Sequence, residues 1–286
     1  FKNFNIELIY KYMENIYDIV SDLHIDQWNP TIGNKHPCGL VKNFPLSFDN
    51  KNPESNILIV AGDISDNIDL SLSYLDQISV YYDKILFVDG NHEHVHNYPY
   101  LFSTDYICDK LEKINNDKLI YLPKNHYIHK RTVFLGVCGW WDYLDNDVDA
   151  KNESLNYFKD WIPDFTKNQN QIFIDSVLSK SREEMDYLHK WINVYENNPS
   201  IDKIVIVTHT IPHPKFCQDT KMSQGCNSKF FNFFDNKKFS KLSTWIFGHT
   251  HTQYRDCIND VSIICNPRGR PEDYDREKYV ILQSKL

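Results

Sequence analysis

No stretch of the 286 residues approaches the ~18–20 consecutive apolar residues of a membrane-crossing helix. The first ten residues are broken by Asn3, Asn5 and Glu7. They lack the uncharged apolar run, followed by small residues, of a secretion signal. The expectation is a cytoplasmic protein with no membrane partner. Positive charge is also in short supply: 31 Lys and Arg stand against 39 Asp and Glu, a net charge of −8. A protein that binds mainly by neutralising nucleic-acid phosphates carries the opposite balance, so a nucleic-acid partner is not expected. No two cysteines form a C-x-x-C pair. Cys38, Cys108, Cys138, Cys217, Cys226, Cys257 and Cys265 are odd in number and scattered. They read as reduced, mostly buried thiols rather than a disulfide framework or a zinc–thiolate site. No repeat, heptad or Gly/Ser linker divides the chain. Phe1 rather than Met stands first; Met13 is a plausible start, with residues 1–12 an extension and 13–286 one domain.

What is present is a series of short Ile- and Val-rich runs, each ending in polar residues able to bind metal. Ile16–Val20 leads into Ser21-Asp22-Leu23-His24, and Ile57–Ala61 into Gly62-Asp63. Ile85–Val88 leads into Asp89-Gly90-Asn91-His92. Ile204–Val207 leads into Thr208-His209, and Trp245–Phe247 into Gly248-His249-Thr250-His251. Runs of this length and composition, bounded by Gly, Asp or Asn, read as strands buried on both faces. In such sheets functional groups gather just beyond the strand carboxyl ends. Five strands would therefore deliver their last residues to one rim.

Helical spacing appears between the runs, in Ile68–Ile78 and Tyr106–Ile114. Ser181-Arg182-Glu183-Glu184 has the form of a capping box opening a helix through Met185, Leu188 and Ile192. Lys118–Leu122, Tyr127–Lys130 and Thr132–Cys138 read as one meander. Gln253–Ile258, Val261–Cys265 and Lys278–Gln283 read as another. The expected class is α/β: two mixed β-sheets packed face to face with helices outside.

The five loops bring together Asp22, His24, Asp63, Asn91, His92, His209, His249 and His251. Carboxylate and amide oxygens mixed with imidazole nitrogens suit Mn, Fe, Zn or Co better than Ca, which prefers oxygen alone. Seven of these eight suffice for two ions sharing one carboxylate.

Asp22-Leu23-His24, Gly62-Asp63-Ile64-Ser65-Asp66, Gly90-Asn91-His92-Glu93, Thr208-His209 and Gly248-His249-Thr250-His251 together resemble the ordered signature of the calcineurin-like metallophosphoesterase superfamily. Each motif alone is weak; all five in order are very specific. Gly139-Trp140-Trp141-Asp142, the Met185–Trp191 helix and Cys265-Asn266-Pro267-Arg268-Gly269 look most like its small bacterial and viral members. The resemblance implies a four-layer αββα sandwich and hydrolysis of a small phosphoester, mono- or diester. It implies two di- or trivalent transition-metal ions (Mn, Fe, Zn, Ni or Co) and a metal-bridging hydroxide as nucleophile. Asp22, His24 and His251 would hold one ion, and Asn91, His209 and His249 the other, with Asp63 between them. His92 would be the general acid, oriented by Asp66. Independently, a histidine titrating near neutrality suits protonation of a leaving oxygen. Two departures stand out: Arg270 where the family often has tyrosine, and Thr210 where a second histidine is frequent.

Other residues have plainer readings. His36, His126, His129 and His189 lack matching context and read as surface or core residues. His94 and His96 read as rim loop residues, and His213, between Pro212 and Pro214, as a possible pocket wall. Asp66 suits helix capping and histidine orientation equally. Glu93 reads as structural. Arg268 reads equally as a phosphate contact or as a turn arginine paired with Glu272 or Asp273. Phe230, Phe231, Phe233 and Phe234 read as packing. Ile25–Asn56, Asp142–Asn170 and Ile211–Leu242 are candidate pocket walls or lids. Two competing functions share the fold: a non-catalytic metal-binding scaffold, and a nuclease.

Overall fold

In the computed structural model, the described residues are 15–28, 54–95, 104–162, 166–218, 223, 225–227, 230, 232–235, 239–273 and 279–286. Residues 1–12, His36, Cys38, His96, Phe231 and most of Ile25–Asn56 lie outside them.

The apolar runs form the strands expected of them. β1 (Ile16–Val20), β2 (Ser55–Ala61), β3 (Lys84–Val88) and β4 (Leu119–Tyr121) pair in parallel. The second sheet holds β5 (Tyr127–His129), β6 (Thr132–Val137), β7 (Lys203–Thr208), β8 (Leu242–Phe247), β9 (Tyr254–Ile258) and β10 (Val261–Cys265), in the order β5-β6-β7-β8-β10-β9. β11 (Leu282–Lys285) returns to the first sheet, antiparallel to β1. Both sheets are mixed, with parallel interiors; β11 is the one antiparallel strand of the first sheet, whereas both edges of the second are antiparallel.

Alternate side chains explain why the strands read as continuously apolar. Ile57, Ile59 and Ala61 of β2 meet Val205 and Val207 of β7 in a core between the sheets. Leu58 and Val60 point the other way, to α1 (Ile68–Ile78) and α2 (Thr104–Ile114). On the far side, Ile204 and Ile206 pack against Leu188 and Ile192 of the long helix α4 (Lys167–Glu196). α3 (Val148–Tyr157) precedes α4 and packs with Trp140, Trp141 and Phe173. The layers run helix, sheet, sheet, helix.

Two expectations of local order are corrected. Neither meander exists as one unit. β4 lies parallel to β3, whereas β5 and β6 form a hairpin in the other sheet; likewise β9 and β10 pair, but β11 lies beside β1. Strand periodicity marks a strand without naming its neighbour. The capping box at Ser181–Glu184 is not a helix start. α4 begins at Lys167, where the Thr166 side chain accepts from Gln169 N, and Ser181 and Glu184 lie buried in mid-helix. Glu184 turns its carboxylate outward from the helix to accept from Gly139 N (3.1 Å) and Trp140 N (2.7 Å).

No helix among the described residues is long and apolar enough to cross a membrane. Of the described cysteines, Cys138, Cys226 and Cys265 are buried, Cys108 and Cys217 are partly buried and Cys257 is exposed; all are free thiols.

Candidate metal centre

The carboxyl ends of β1, β2, β3, β7 and β8 meet at one rim, and backbone hydrogen bonds tie their loops together. Asp22 N donates to Gly62 O, His24 N to Asp63 O, Gly248 N to His209 O and Gly269 N to Asp22 O. Tight turns present the side chains. Asp22 (φ 49°), His24 (43°), Asp63 (54°), His249 (69°) and His251 (50°) all occupy the left-handed region. For non-glycine residues such conformations cost on the order of 1–3 kcal/mol each and persist only where surrounding structure fixes them. Five of the seven residues expected to bind metal carry this strain.

Two clusters hold the expected ligands, and a third group, His24, Asp66 and His92, overlaps the first. Asp22, His24 and His251 offer ligand atoms mutually within 4.8 Å, and so do Asp63, His209 and His249. In the first, His24 Nε2 lies 3.0 Å from His251 Nε2, which lies 3.6 Å from Asp22 Oδ1. In the second, His209 Nε2 faces Asp63 Oδ2 at 3.1 Å, Asn91 Oδ1 at 3.0 Å and His249 Nδ1 at 3.2 Å. Asp63 Oδ2 is also 4.0 Å from His24 Nε2, so this carboxylate stands between the clusters. All seven expected ligand residues come together.

The donor chemistry fits cations. His209 Nδ1–H donates to Ala61 O (2.9 Å) and His251 Nδ1–H to Asp273 Oδ2 (2.7 Å). Each bond fixes the tautomer, so that in the neutral ring Nε2 is a lone pair aimed inward. Lone pairs there face other lone pairs, on Asp63, Asn91, His24 and His249. Asp22 Oδ2 is buried with no hydrogen-bond partner among the described residues. Buried polar atoms are ordinarily satisfied, so a set of converging acceptors calls for positive charge at its centre.

Electrostatics agree. Burial alone would raise the Asp63 carboxyl, but His209, His92 and His24 hold it well below the usual range. Burial would lower His209, yet Asp63 outweighs it and raises the imidazole to about 10. Burial, reinforced by His209, lowers His249 to about 3. Without metal, a proton on His209 supplies the charge that the carboxylates demand.

Beside the clusters, His92 Nδ1–H donates to Asp66 Oδ1 at 2.6 Å, while its Nε2 lies 4.0 Å from Asp63 Oδ2. The two readings of Asp66 are thereby separated: Asn67 caps α1 by accepting from Leu70 N, leaving Asp66 to orient His92. Burial would lower His92, but Asp63 and Asp66 raise it above the usual histidine range.

Around the centre the structural reading of Glu93 holds, while other residues were missed by sequence reasoning. Glu93 accepts from Asp63 N, Ile64 N, Ser65 N and Gly90 N, binding the second loop to the third. His94, in the loop two residues beyond His92, is buried and donates from Nε2 to Asp89 Oδ2 (2.7 Å). Thr210 donates to Gly139 O and is wholly internal. Arg268 is 1% exposed, its guanidinium 3.9 Å from the Trp28 ring. Asp273, which sequence reasoning offered to Arg268, meets His251 and accepts from Arg270 N. Arg270 donates from Nη2 to His92 Nε2 at 3.1 Å. The Asp142–Asn170 segment brings Trp161 edge-on to His92, ring centroids 5.3 Å apart. His213 instead caps a short helical turn, accepting from Lys215 N.

Glycine supplies the clearance. A Cβ on Gly90 would lie 2.1 Å from Asp63 Oδ1, and one on Gly62, at φ +77°, 2.7 Å from His209 Nδ1. The G-D and G-N-H motifs therefore need glycine as much as their ligands.

The chain is similar to several known proteins. A protein of Acanthamoeba polyphaga mimivirus, Uncharacterized protein L509, is 26% identical over 264 residues, spanning 87% of this chain and 89% of that protein. The crystal structure of phosphopantetheinyl hydrolase (PptH) from Mycobacterium tuberculosis superposes with a TM-score of 0.61 at 15% identity, covering 95% of this chain and 96% of that one. A putative 5'-nucleotidase from Staphylococcus aureus gives a TM-score of 0.47 at 14% identity, over 89% of this chain and 48% of that one. The sequence pattern of the calcineurin-like phosphoesterases matches residues 17–253, from the first strand through the last histidine motif, and the chain belongs to that family.

Proposed function

We propose that the protein hydrolyses a small phosphoester, mono- or diester, using two transition-metal ions bound by the paired clusters. The observation that carries this reading is the convergence of lone pairs around Asp63, with the Asp66–His92 pair alongside. Asp22, His24 and His251 hold one ion; Asn91, His209 and His249 hold the other; Asp63 is common to both. When bound, such a pair supplies an activated water nucleophile and charge stabilisation for an in-line displacement.

The chain's own residues do the rest. His92 gives a proton from Nε2 to the departing oxygen, and Asp66 keeps the ring in the tautomer and orientation that allow it. Asp273 and Ala61 O hold the His251 and His209 rings in place. The acidic chain and the mixed nitrogen–oxygen ligand set favour a small substrate over nucleic acid, and Mn, Fe, Zn, Ni or Co over Ca.

Elemental analysis of purified protein, followed by a phosphoester panel with Mn, Ni, Mg and Zn, tests the proposal. Two metals per chain and metal-dependent hydrolysis are expected; a metal-loaded sample inert across the panel would overturn it. His92→Ala should slow esters with poor leaving groups by ~10²–10⁴-fold and activated aryl esters far less. Equal losses on both would remove His92 as proton donor.

A further inference from the structure

Arg270 has no part in holding metal, yet its guanidinium donates to His92 Nε2 at 3.1 Å. A guanidinium can only donate and keeps its charge throughout the working pH range. Its Nε is buried and has no hydrogen-bond partner among the described residues, so the fork is incompletely used. Its backbone is fixed: Arg270 N donates to Asp273 Oδ2, the carboxylate that also receives His251 Nδ1–H. Arg268 offers no substitute, being buried between Trp28 and Tyr279, 3.9 and 5.3 Å from their rings.

An anchored cationic fork beside a proton donor, with a donor to spare, matches the charge and planarity of phosphoryl oxygens, which arginine binds bidentately. We infer that Arg270 is the substrate-binding residue that clamps the phosphoryl group, and that it makes a dianionic phosphomonoester the preferred substrate class. This rests on the phosphoesterase reading. A monoester presents two negative charges and three non-bridging oxygens to the site, a diester only one charge. On binding, the guanidinium exchanges His92 Nε2 for a phosphoryl oxygen, and that nitrogen, no longer an acceptor for arginine, takes up from solvent the proton that it gives to the leaving group.

The test is calorimetric titration of Mn-loaded wild type, Arg270→Ala and Arg270→Lys with inorganic phosphate and with dimethyl phosphate, alongside kinetics on an aryl phosphomonoester and its diester. Metal content should be unchanged in both variants, because the Arg270 N–H to Asp273 survives substitution. Arg270→Ala should weaken phosphate binding and raise KM for the monoester by ~10-fold or more, the scale of one charge-assisted hydrogen bond. Dimethyl phosphate and the diester should change by less than about threefold, and Arg270→Lys should recover only part of the loss, lacking the fork. Unchanged phosphate affinity in Arg270→Ala overturns the clamp, and equal weakening for mono- and dianion overturns the monoester preference. Wild type that binds phosphate through Arg270 but cleaves neither ester overturns the hydrolytic reading and leaves the clamp standing.

Discussion

The two metal-binding clusters use the same residue types but are supported differently. The His209 imidazole is fully buried and held by a backbone carbonyl, Ala61 O, which cannot titrate or move without its strand. The His251 imidazole is 21% exposed and held by Asp273, itself 25% exposed, on a turn after the last core strand. His24, which shares that cluster, has a buried Nδ1 with no partner among the described residues. One position is built into the sheet; the other depends on a peripheral carboxylate. The comparison teaches that preorganisation within one candidate metal centre can be unequal, with tighter binding and slower exchange expected for the His209 position.

The largest effect should come from attacking the buried side. His209→Ala leaves Asp63 buried without its closest positive partner, a loss of ~3–5 kcal/mol for a broken buried pair. Chemical denaturation of the metal-free variant should show it, and elemental analysis should find that position's metal missing. An undiminished stability would mean that Asp63 and His209 are not paired without metal. Next, Asp273→Asn should weaken metal at the Asp22/His24/His251 position by ~10–100-fold and spare the other. Stepwise chelator competition distinguishes the two, and equal weakening of both would erase the proposed asymmetry.

Acidity sharpens the contrast. His209 is raised to about 10, so metal must displace a proton there across the neutral range. Affinity at that position should climb by up to ~tenfold per pH unit below pH 10 for one displaced proton. His24, lowered by burial well below the usual range, has no proton to yield near neutrality, so the other position should respond less. Calorimetry in buffers of different ionisation enthalpy reads the proton release directly; no release would refute this assignment. In the metal-free protein the sign is opposite. The stabilisation from His209 is complete below about 6.5 and lost as pH rises through about 10.

The smallest effect expected is from Gly62→Ala. The added Cβ meets the His209 ring and Gly90 N at 2.7 and 2.8 Å at a positive φ, which should cost ~1–3 kcal/mol. Thermal unfolding measures it, and the metal at the His209 position should loosen before the other.

The ligand residues and strands were legible because each ligand directly follows a strand whose period and composition are local properties. Asp22, Asp63, His209 and His249 needed no long-range information beyond the convergence of strand ends. Partners were harder. Ser181-x-x-Glu184 satisfies a local capping pattern, yet Glu184 serves Gly139 and Trp140, 45 and 44 residues away. Asp273 and Arg270 stand on a turn without strand or helix periodicity, and their contacts with His251 and His92 span 22 and 178 residues.

The sequence by itself determined which atoms can bind metal and that buried parallel strands carry them, because side-chain chemistry and hydrophobic period are written residue by residue. Tertiary structure alone decided which sheet takes each edge strand, where the long helix begins and which carboxylate or guanidinium meets which imidazole. Those choices rest on packing and charge between segments distant along the chain, where the energy of a contact depends on what the fold brings near.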